Sequence, residues 1–294
     1  MKTELSILIP TFNDICVDLV QALARQCDSI QRLKYEIIVA DDGSTNDEVK
    51  QRNSYINNIY RCKYVLREQN TGRACIRNWL AQQARYEWLL FVDSHMAVCK
   101  DDYIIEYLDT VDEVVYGGYV VKGDAEKLKG NLRYLYEKKA EPMHTAEMRM
   151  RSPYQDFHTS NFLISRQVFI NHPLDVRFRH YGYEDVLFGK QLKIADISID
   201  HISNPLAFDR FEDNARFMEK TEESLRTIYM FRDELRGYAR LLDASDKLKQ
   251  SCLHAPFLWL YRKMKNRWRR NLCGDKPSLL VFKLYKLGYY AELG

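Results

Sequence analysis

The seven cysteines include no CxxC pair and no other paired spacing. A zinc knuckle is thereby excluded, and an odd, scattered set suits reduced thiols better than a disulfide framework. No stretch approaches the roughly 20 apolar residues that a bilayer-crossing helix needs. The opening MKTELSILIPTFND lacks the design of a secretion signal: the apolar run Leu5–Pro10 is too short, and the acidic Glu4 precedes it. These absences place the chain in the cytoplasm as an expectation. Charge of one sign is also scarce. With 44 Lys and Arg against 41 Asp and Glu the formal net charge is +3, so bulk charge names no partner. There is no internal repeat, no low-complexity tract and no nucleic-acid-binding motif.

What remains is a globular balance of 46% hydrophobic and 29% charged residues. The 294 residues suffice for one large α/β domain with a helical appendage, expected to divide at 1–212 and 213–294. The 20 tyrosines suit either amphipathic packing or stacking against sugar and base rings.

Apolar runs alternate with helical spacing. Leu5–Pro10, Tyr35–Ala40, Lys63–Leu66 and Trp88–Val92 read as strands. Between them, residues 14–33 (Ile15, Leu19, Leu23), Asp47–Tyr60 and Arg73–Ala84 read as helices. Strands alternating with helices imply βαβ units and a mostly parallel central sheet flanked by helices. Ligands in such sheets bind at the carboxyl ends of the strands. The polar clusters Thr11–Asn13, Asp41–Ser44 and Asp93–His95 all fall there. Further on, 124–151 is charged and helical with Met143–Arg151 read as a mobile loop. Ser160–Ser165 reads as a strand, His180–Ile194 as a loop and helix, and the chain from 213 as helical.

Asp93-Ser94-His95 closes the fourth strand, and a carboxylate and an imidazole two residues apart can reach one divalent ion from a turn. A capping Asp beside a surface His is the plainer alternative. Asp41-Asp42-Gly43-Ser44 suits a turn and helix cap, or a carboxylate that takes base or ribose hydrogens. Glu184-Asp185 opens a helix, so the pair serves the helix dipole or supplies a general base. His201, after Ile197–Asp200, is either structural or the missing third ligand of the Asp93–His95 site.

Together these segments resemble the family 2 glycosyltransferases of GT-A (Rossmann-like) fold. The resemblance spans residues 4–210. The segment Ile7-Leu-Ile-Pro-Thr-Phe-Asn13 is similar to that family's first strand and nucleotide loop, which implies nucleotide contacts at Pro10, Thr11 and Asn13. Val39–Ser44 is similar to the uracil- and ribose-contacting segment, with Asp42 the implied contact. Asn70–Arg73 and Arg77-Asn78 resemble its turn and helix, implying Arg73 and Arg77 toward the base. Ser160–Ser165 is similar to the strand beneath the acceptor site, and Tyr183-Glu184-Asp185 to an ED pair whose aspartate is the implied base. One departure stands out. The family's Asp-x-Asp is replaced by Asp93-Ser94-His95, which resembles the DxH of polypeptide N-acetylgalactosaminyltransferases. That likeness implies a metal held by Asp93, His95 and His201, with Ser94 beside the donor. Imidazole suits Mn²⁺ better than Mg²⁺, though Mg²⁺ is compatible.

The implied reaction moves a sugar from a UDP-sugar to a hydroxyl of a glycan or lipid-linked acceptor. It would invert configuration, with Asp185 as base and Glu184 beside it. The DxH likeness leaves a retaining transferase or a degenerate, non-catalytic glycan-binding domain as alternatives. A nucleotidyltransferase would want a glycine-rich loop after the first strand, and Pro10–Asn13 holds no glycine. In residues 257–272 (FLWLYRKMKNRWRRNL), Phe257, Tyr261, Met264 and Trp268 share one helical face beside a dense basic run. That pattern suits peripheral contact with an anionic membrane surface, expected at the inner face of the cell membrane, or packing on the catalytic domain.

Overall fold

The computed structural model describes Met1–Gly294. Ten strands form in chain order: β1 (Glu4–Thr11), β2 (Lys34–Asp41), β3 (Cys62–Leu66), β4 (Trp88–Val92), β5 (Met96–Ala97), β6 (Val114–Tyr116), β7 (Tyr119–Val121), β8 (Asn161–Ser165), β9 (Asp200–His201) and β10 (Leu206–Phe208). Seven of them make one sheet in the order β3-β2-β1-β4-β8-β6-β9. β3, β2, β1 and β4 run parallel, while β8 is antiparallel to both β4 and β6. A small second sheet, β5-β10-β7, lies beside it.

The nearly continuous apolar run of β1, broken at Ser6, follows from burial on both faces. Leu5, Ile7 and Ile9 join a core with the Val17–Ser29 helix, while Leu8 joins a second core with the Arg73–Gln83 helix. Register fixes the edge at which the loops emerge. Thr11 lies opposite Asp41, and Leu8 lies opposite both Ile38 and Phe91. The loops after β1, β2 and β4 therefore leave the sheet side by side.

Two readings need correction. The Asp47–Tyr60 helix ends at Ser54 and tightens into a 3₁₀ turn over Tyr55–Asn58. Met143–Arg151 is not a loop: Ala146–Met150 is helical, and the Thr145 side chain caps it by accepting from Met148 N. Arg149 then ties this helix down by donating to His201 and to the Ile202 carbonyl. A cap and a buried anchor outweigh the polar composition that suggested a loop. All seven cysteines are unpaired.

After β10 the chain is helical. The helices Asn214–Met230, His254–Cys273 and Leu279–Leu293 pack on the Leu132–Ala140 helix through Leu132, Phe217, Tyr261, Leu272, Phe282 and Tyr285. The Asn214 side chain is a polar joint, donating to the Gly130 and Gly274 carbonyls and accepting from Leu132 N. Tyr261 and Trp268, expected on a lipid-facing stripe, are turned into this packing instead. The side chains left outward include Trp259, Leu260, Arg262, Lys263, Arg267 and Arg270. No helix is long and apolar enough to cross a membrane.

Candidate active site

The loops after β1 and β2 are built mainly from bonds to each other. Asn13 sits at φ 51° and donates its backbone N–H to Ser44 Oγ at 2.7 Å. Its side-chain oxygen accepts from Thr45 N and Asn46 N at 2.9 and 3.0 Å. Thr11 is buried and donates to the Asp14 carbonyl, while Pro10 lies half-buried at the end of β1. Asp42 is spent more completely. One carboxylate oxygen accepts from Arg67 and the Thr71 hydroxyl, and the other from Thr71 N and Gly72 N, all within 2.9–3.1 Å. Those four bonds use the whole capacity of a carboxylate. The nucleoside contact expected of Asp42 thus becomes a clamp on the Thr71-Gly72 turn. Gly72 lies at φ +92°, and a Cβ there would come within 3.0 Å of the Arg179 carbonyl, so the turn requires glycine.

That turn aims the Arg73–Gln83 helix at the end of β4. Arg77 is 2% exposed and its Nη2 lies 2.5 Å from Asp93 Oδ1. The expected base contact of Arg77 is therefore replaced by a buried ion pair beneath the Asp93-Ser94-His95 turn. Burial opposes the charge on Asp93, but Arg77, His95 and Arg73 outweigh it and hold the carboxyl below its usual range. Ser94 donates to Asp14, and Arg210 grips Asp14 and the Ser94 carbonyl, fixing the turn from the other side. Sequence reading did not single out Arg210, because nothing local ties it to a segment more than a hundred residues earlier.

His95 rests edge-on against Phe208, with ring centroids 5.3 Å apart. Burial, with Arg73 and Arg133 nearby, pushes its pKa down despite Asp93, which leaves a neutral imidazole with a free lone pair. Arg77 takes only one oxygen of Asp93. The turn thus offers one carboxylate oxygen and one imidazole nitrogen. No group of three or more His, Cys, Asp or Glu side chains forms a closed metal cage anywhere in the chain. A two-donor set fits an ion that completes its shell with phosphate oxygens and water. His201 does not belong to this set. Its Nδ1 accepts from Arg149 Nε at 3.1 Å, and its Nε2 lies 2.9 Å from the Pro153 carbonyl, to which it donates. Both nitrogens are used, and burial drops the pKa to about 4. The reading of His201 as third ligand is corrected accordingly: it anchors Arg149.

The opposite wall begins at Gly182-Tyr183, where Tyr183 adopts the left-handed conformation (φ 70°) and opens the Glu184–Ile194 helix. A bulky residue in that region marks local strain, which collects at functional sites. Glu184 is buried, and burial together with the Asp185 charge raises its pKa; Arg73 lies 3.9 Å away. Arg73 also stacks over Tyr181 at 4.4 Å and lies within electrostatic reach of Asp93 and Asp185. It therefore stands between the two carboxylate-bearing segments.

Asp185 is fixed through both oxygens: Oδ1 accepts from Val186 N, and Oδ2 lies 2.9 Å from His158 Nδ1. Burial alone would raise its pKa, but His158 overrides that and holds it down. Burial would lower His158, and the bond and charge of Asp185, with Glu137 and Asp156, raise it instead. His158 is the principal residue that sequence reading missed. The available signal was its place just before β8, at the edge where the other loops gather.

Residues 6–172 match the sequence profile described as glycosyl transferase family 2. A chondroitin synthase of Pasteurella multocida is 27% identical over 225 residues, which cover 64% of this chain and 23% of that protein. The chain thus spans about a quarter of the length of that relative. Among solved structures, S. aureus TarS 1–349 in complex with UDP-GlcNAc superimposes with a TM-score of 0.53 at 16% identity, covering 99% of this chain and 90% of that one. The Pyrobaculum calidifontis mannosyltransferase PcManGT, in complex with GDP-Man and Mn²⁺, superimposes with a TM-score of 0.53 at 12% identity, covering 99% and 86%. Those two likenesses speak to the fold, which is GT-A. With the profile matched over more than half of its length, the chain belongs to glycosyl transferase family 2.

Proposed function

We propose that this chain transfers a sugar from a UDP-sugar to a hydroxyl of a glycan acceptor, free or lipid-linked, inverting the anomeric carbon with Asp185 as general base. The observation that carries this reading is the Asp185 carboxylate, held ionised and oriented by His158 and Val186 N across Arg73 from the Asp93–His95 turn. The relatives agree in kind: one is named a chondroitin synthase, and the TarS and PcManGT structures are complexes with nucleotide sugars.

In this mechanism Asp185 takes the proton of the acceptor hydroxyl while that oxygen bonds to the anomeric carbon. The bond from that carbon to UDP breaks, and UDP leaves with the electron pair. Asp93 and His95 would hold a divalent ion, Mn²⁺ in preference to Mg²⁺. Such an ion, when bound, supplies Lewis-acid neutralisation of the charge that builds on the leaving diphosphate. Arg77 keeps Asp93 aimed and ionised, and Arg210 keeps the turn closed against Asp14. Arg73 lends positive charge between donor and base.

The test is a nucleotide-sugar panel scored for Mn²⁺-stimulated release of the free nucleotide, run with wild type and Asp185→Asn. We expect one UDP-sugar to turn over and the variant to lose about 10³-fold in kcat while binding UDP normally. Undiminished transfer by Asp185→Asn removes Asp185 as base.

A further inference from the structure

Beyond Asp185 a circuit of neighbouring side chains, partly exposed at His158, Tyr119, Arg133, Tyr136 and Lys286, runs between the sheet and the C-terminal helices. From Asp185 the circuit runs to His158, whose imidazole faces Tyr119 with centroids 6.5 Å apart. The Tyr119 hydroxyl donates to Glu137 Oε2 at 2.8 Å, and Glu137 Oε1 pairs with Arg133 at 2.8 Å. Arg133 lies within electrostatic reach of Lys286, on the Leu279–Leu293 helix. The Lys286 ammonium sits 4.8 Å over the Tyr136 ring and 4.6 Å over Phe282. Tyr136 in turn lies within reach of Tyr183, which adjoins Asp185 in the same way and completes the circuit.

The charges in this circuit do not cancel. Glu137 pairs through one oxygen with Arg133 and through the other with Tyr119, and makes no ion pair with Lys286. Lys286 makes no ion pair, and burial beside Lys283 and Arg133 pushes its pKa down to about 8, despite Glu137. The Arg133 Nε hydrogen is buried without an acceptor. Aromatic contact softens the desolvation of Lys286 but does nothing for that orphaned donor. Two cations within electrostatic reach of each other, one with an unused N–H, describe a place prepared for an anion. The tyrosines around them offer flat, amphipathic faces to a sugar ring.

We propose that this cluster marks the acceptor site and that Lys286, with Arg133, reads an anionic group of the acceptor glycan, a carboxylate or a phosphate. The proposal rests on the transferase reading with Asp185 as base. It assigns the C-terminal helices a part in substrate choice, since Lys286 belongs to the last of them.

Calorimetric titration of the full chain with UDP present tests it, because binding needs no turnover. Three probes separate the sources of charge: a glucuronate-containing tetrasaccharide, a ribitol-phosphate oligomer, and uncharged chitotetraose. Wild type should bind one anionic probe more tightly than chitotetraose, and that binding should weaken between 50 and about 300 mM salt. Lys286→Gln should weaken it about tenfold, while Lys286→Arg retains it and the remote Lys276→Gln matches wild type. Lys286→Met keeps the stem over the rings and stands in should the glutamine variant fail to fold. Preference of wild type for chitotetraose, equal anion affinity in wild type and both neutralised variants, or loss of UDP binding in place of acceptor binding would each overturn the assignment. Failure of the transferase reading would show separately, as no nucleotide sugar turned over by wild type.

Discussion

On one side of the comparison, Asp42 gives all its acceptor capacity to Arg67, Thr71 and Gly72, Asn13 to its neighbouring loop, and Arg77 an ion pair to Asp93. On the other side of the comparison, His95 makes only an edge contact with Phe208, Lys286 has no carboxylate partner, and Arg133 keeps an unused donor. The same polar residue types thus serve two purposes. Where their bonds are spent inside the protein they set backbone positions, and where bonds are left over they can meet a ligand. Substitutions on the first side should therefore be read in stability, and on the second in binding and rate.

The largest effect on that contrast belongs to Arg77→Met. It strands Asp93, whose side chain is only 12% exposed, as an unpaired buried charge. Removing one partner of such a pair costs about 3–5 kcal/mol. Urea unfolding should show that loss, and Mn²⁺ with UDP should restore part of it by meeting the same carboxylate. A variant as stable as wild type would show that Arg77 is not structural and return it to the ligand side of the comparison.

His95→Ala is expected to behave in the opposite way. The ring has no hydrogen bond to lose, so unfolding should shift by less than about 1–2 kcal/mol, chiefly from the lost contact with Phe208. Mn²⁺-dependent UDP binding should fall roughly 10- to 100-fold, as when a metal's protein donor set is weakened. UDP affinity with unchanged metal dependence would take His95 out of the site.

The strand core was legible from sequence because β1, β2 and β4 are buried on both faces and read as apolar runs, interrupted only by Ser6 and Glu36, which bond to each other. Periodicity gave the Arg73–Gln83 and Glu184–Ile194 helices to within a residue or two. The site was less legible, for reasons of distance along the chain. Glu184-Asp185 and Asp93-Ser94-His95 announce themselves locally. The partners that fix their charge or position do so only after folding: Arg77 for the Asp93 carboxylate, Arg210 for the Ser94 carbonyl, His158 for the Asp185 carboxylate. His201 was misread for the same reason. Its sequence neighbours leave its nitrogens free, and Arg149 and Pro153, about fifty residues earlier, claim both. The basic C-terminal helix shows a related limit, since periodicity reports a sided helix but not which side is covered. Tyr261 went inward and Trp259 outward.

The smallest effect, and the one that probes the boundary between the two classes, concerns His158. Its bond to Asp185 is internal, like those of the scaffold, yet it acts on the group proposed as base. The folded state raises the pKa of His158 and lowers that of Asp185, so it favours the charged pair. The stability due to His158 is then complete below the ordinary imidazole value of about 6.5 and is lost as pH rises through the raised folded value. The share due to Asp185 is present above the ordinary carboxylate range near 4 and is lost as pH falls through the lowered folded value. The melting-temperature advantage of wild type over His158→Gln should accordingly peak between those limits and shrink above pH 7. Activity should move the other way. Imidazolium draws on the Asp185 charge and weakens it as a base, so wild-type kcat should climb with pH through the His158 transition, by an amount on the order of tenfold. Glutamine can keep the hydrogen bond but cannot titrate, so His158→Gln should lose that limb while retaining measurable transfer. An identical limb in both proteins would assign the titration to another group and leave His158 with the scaffold.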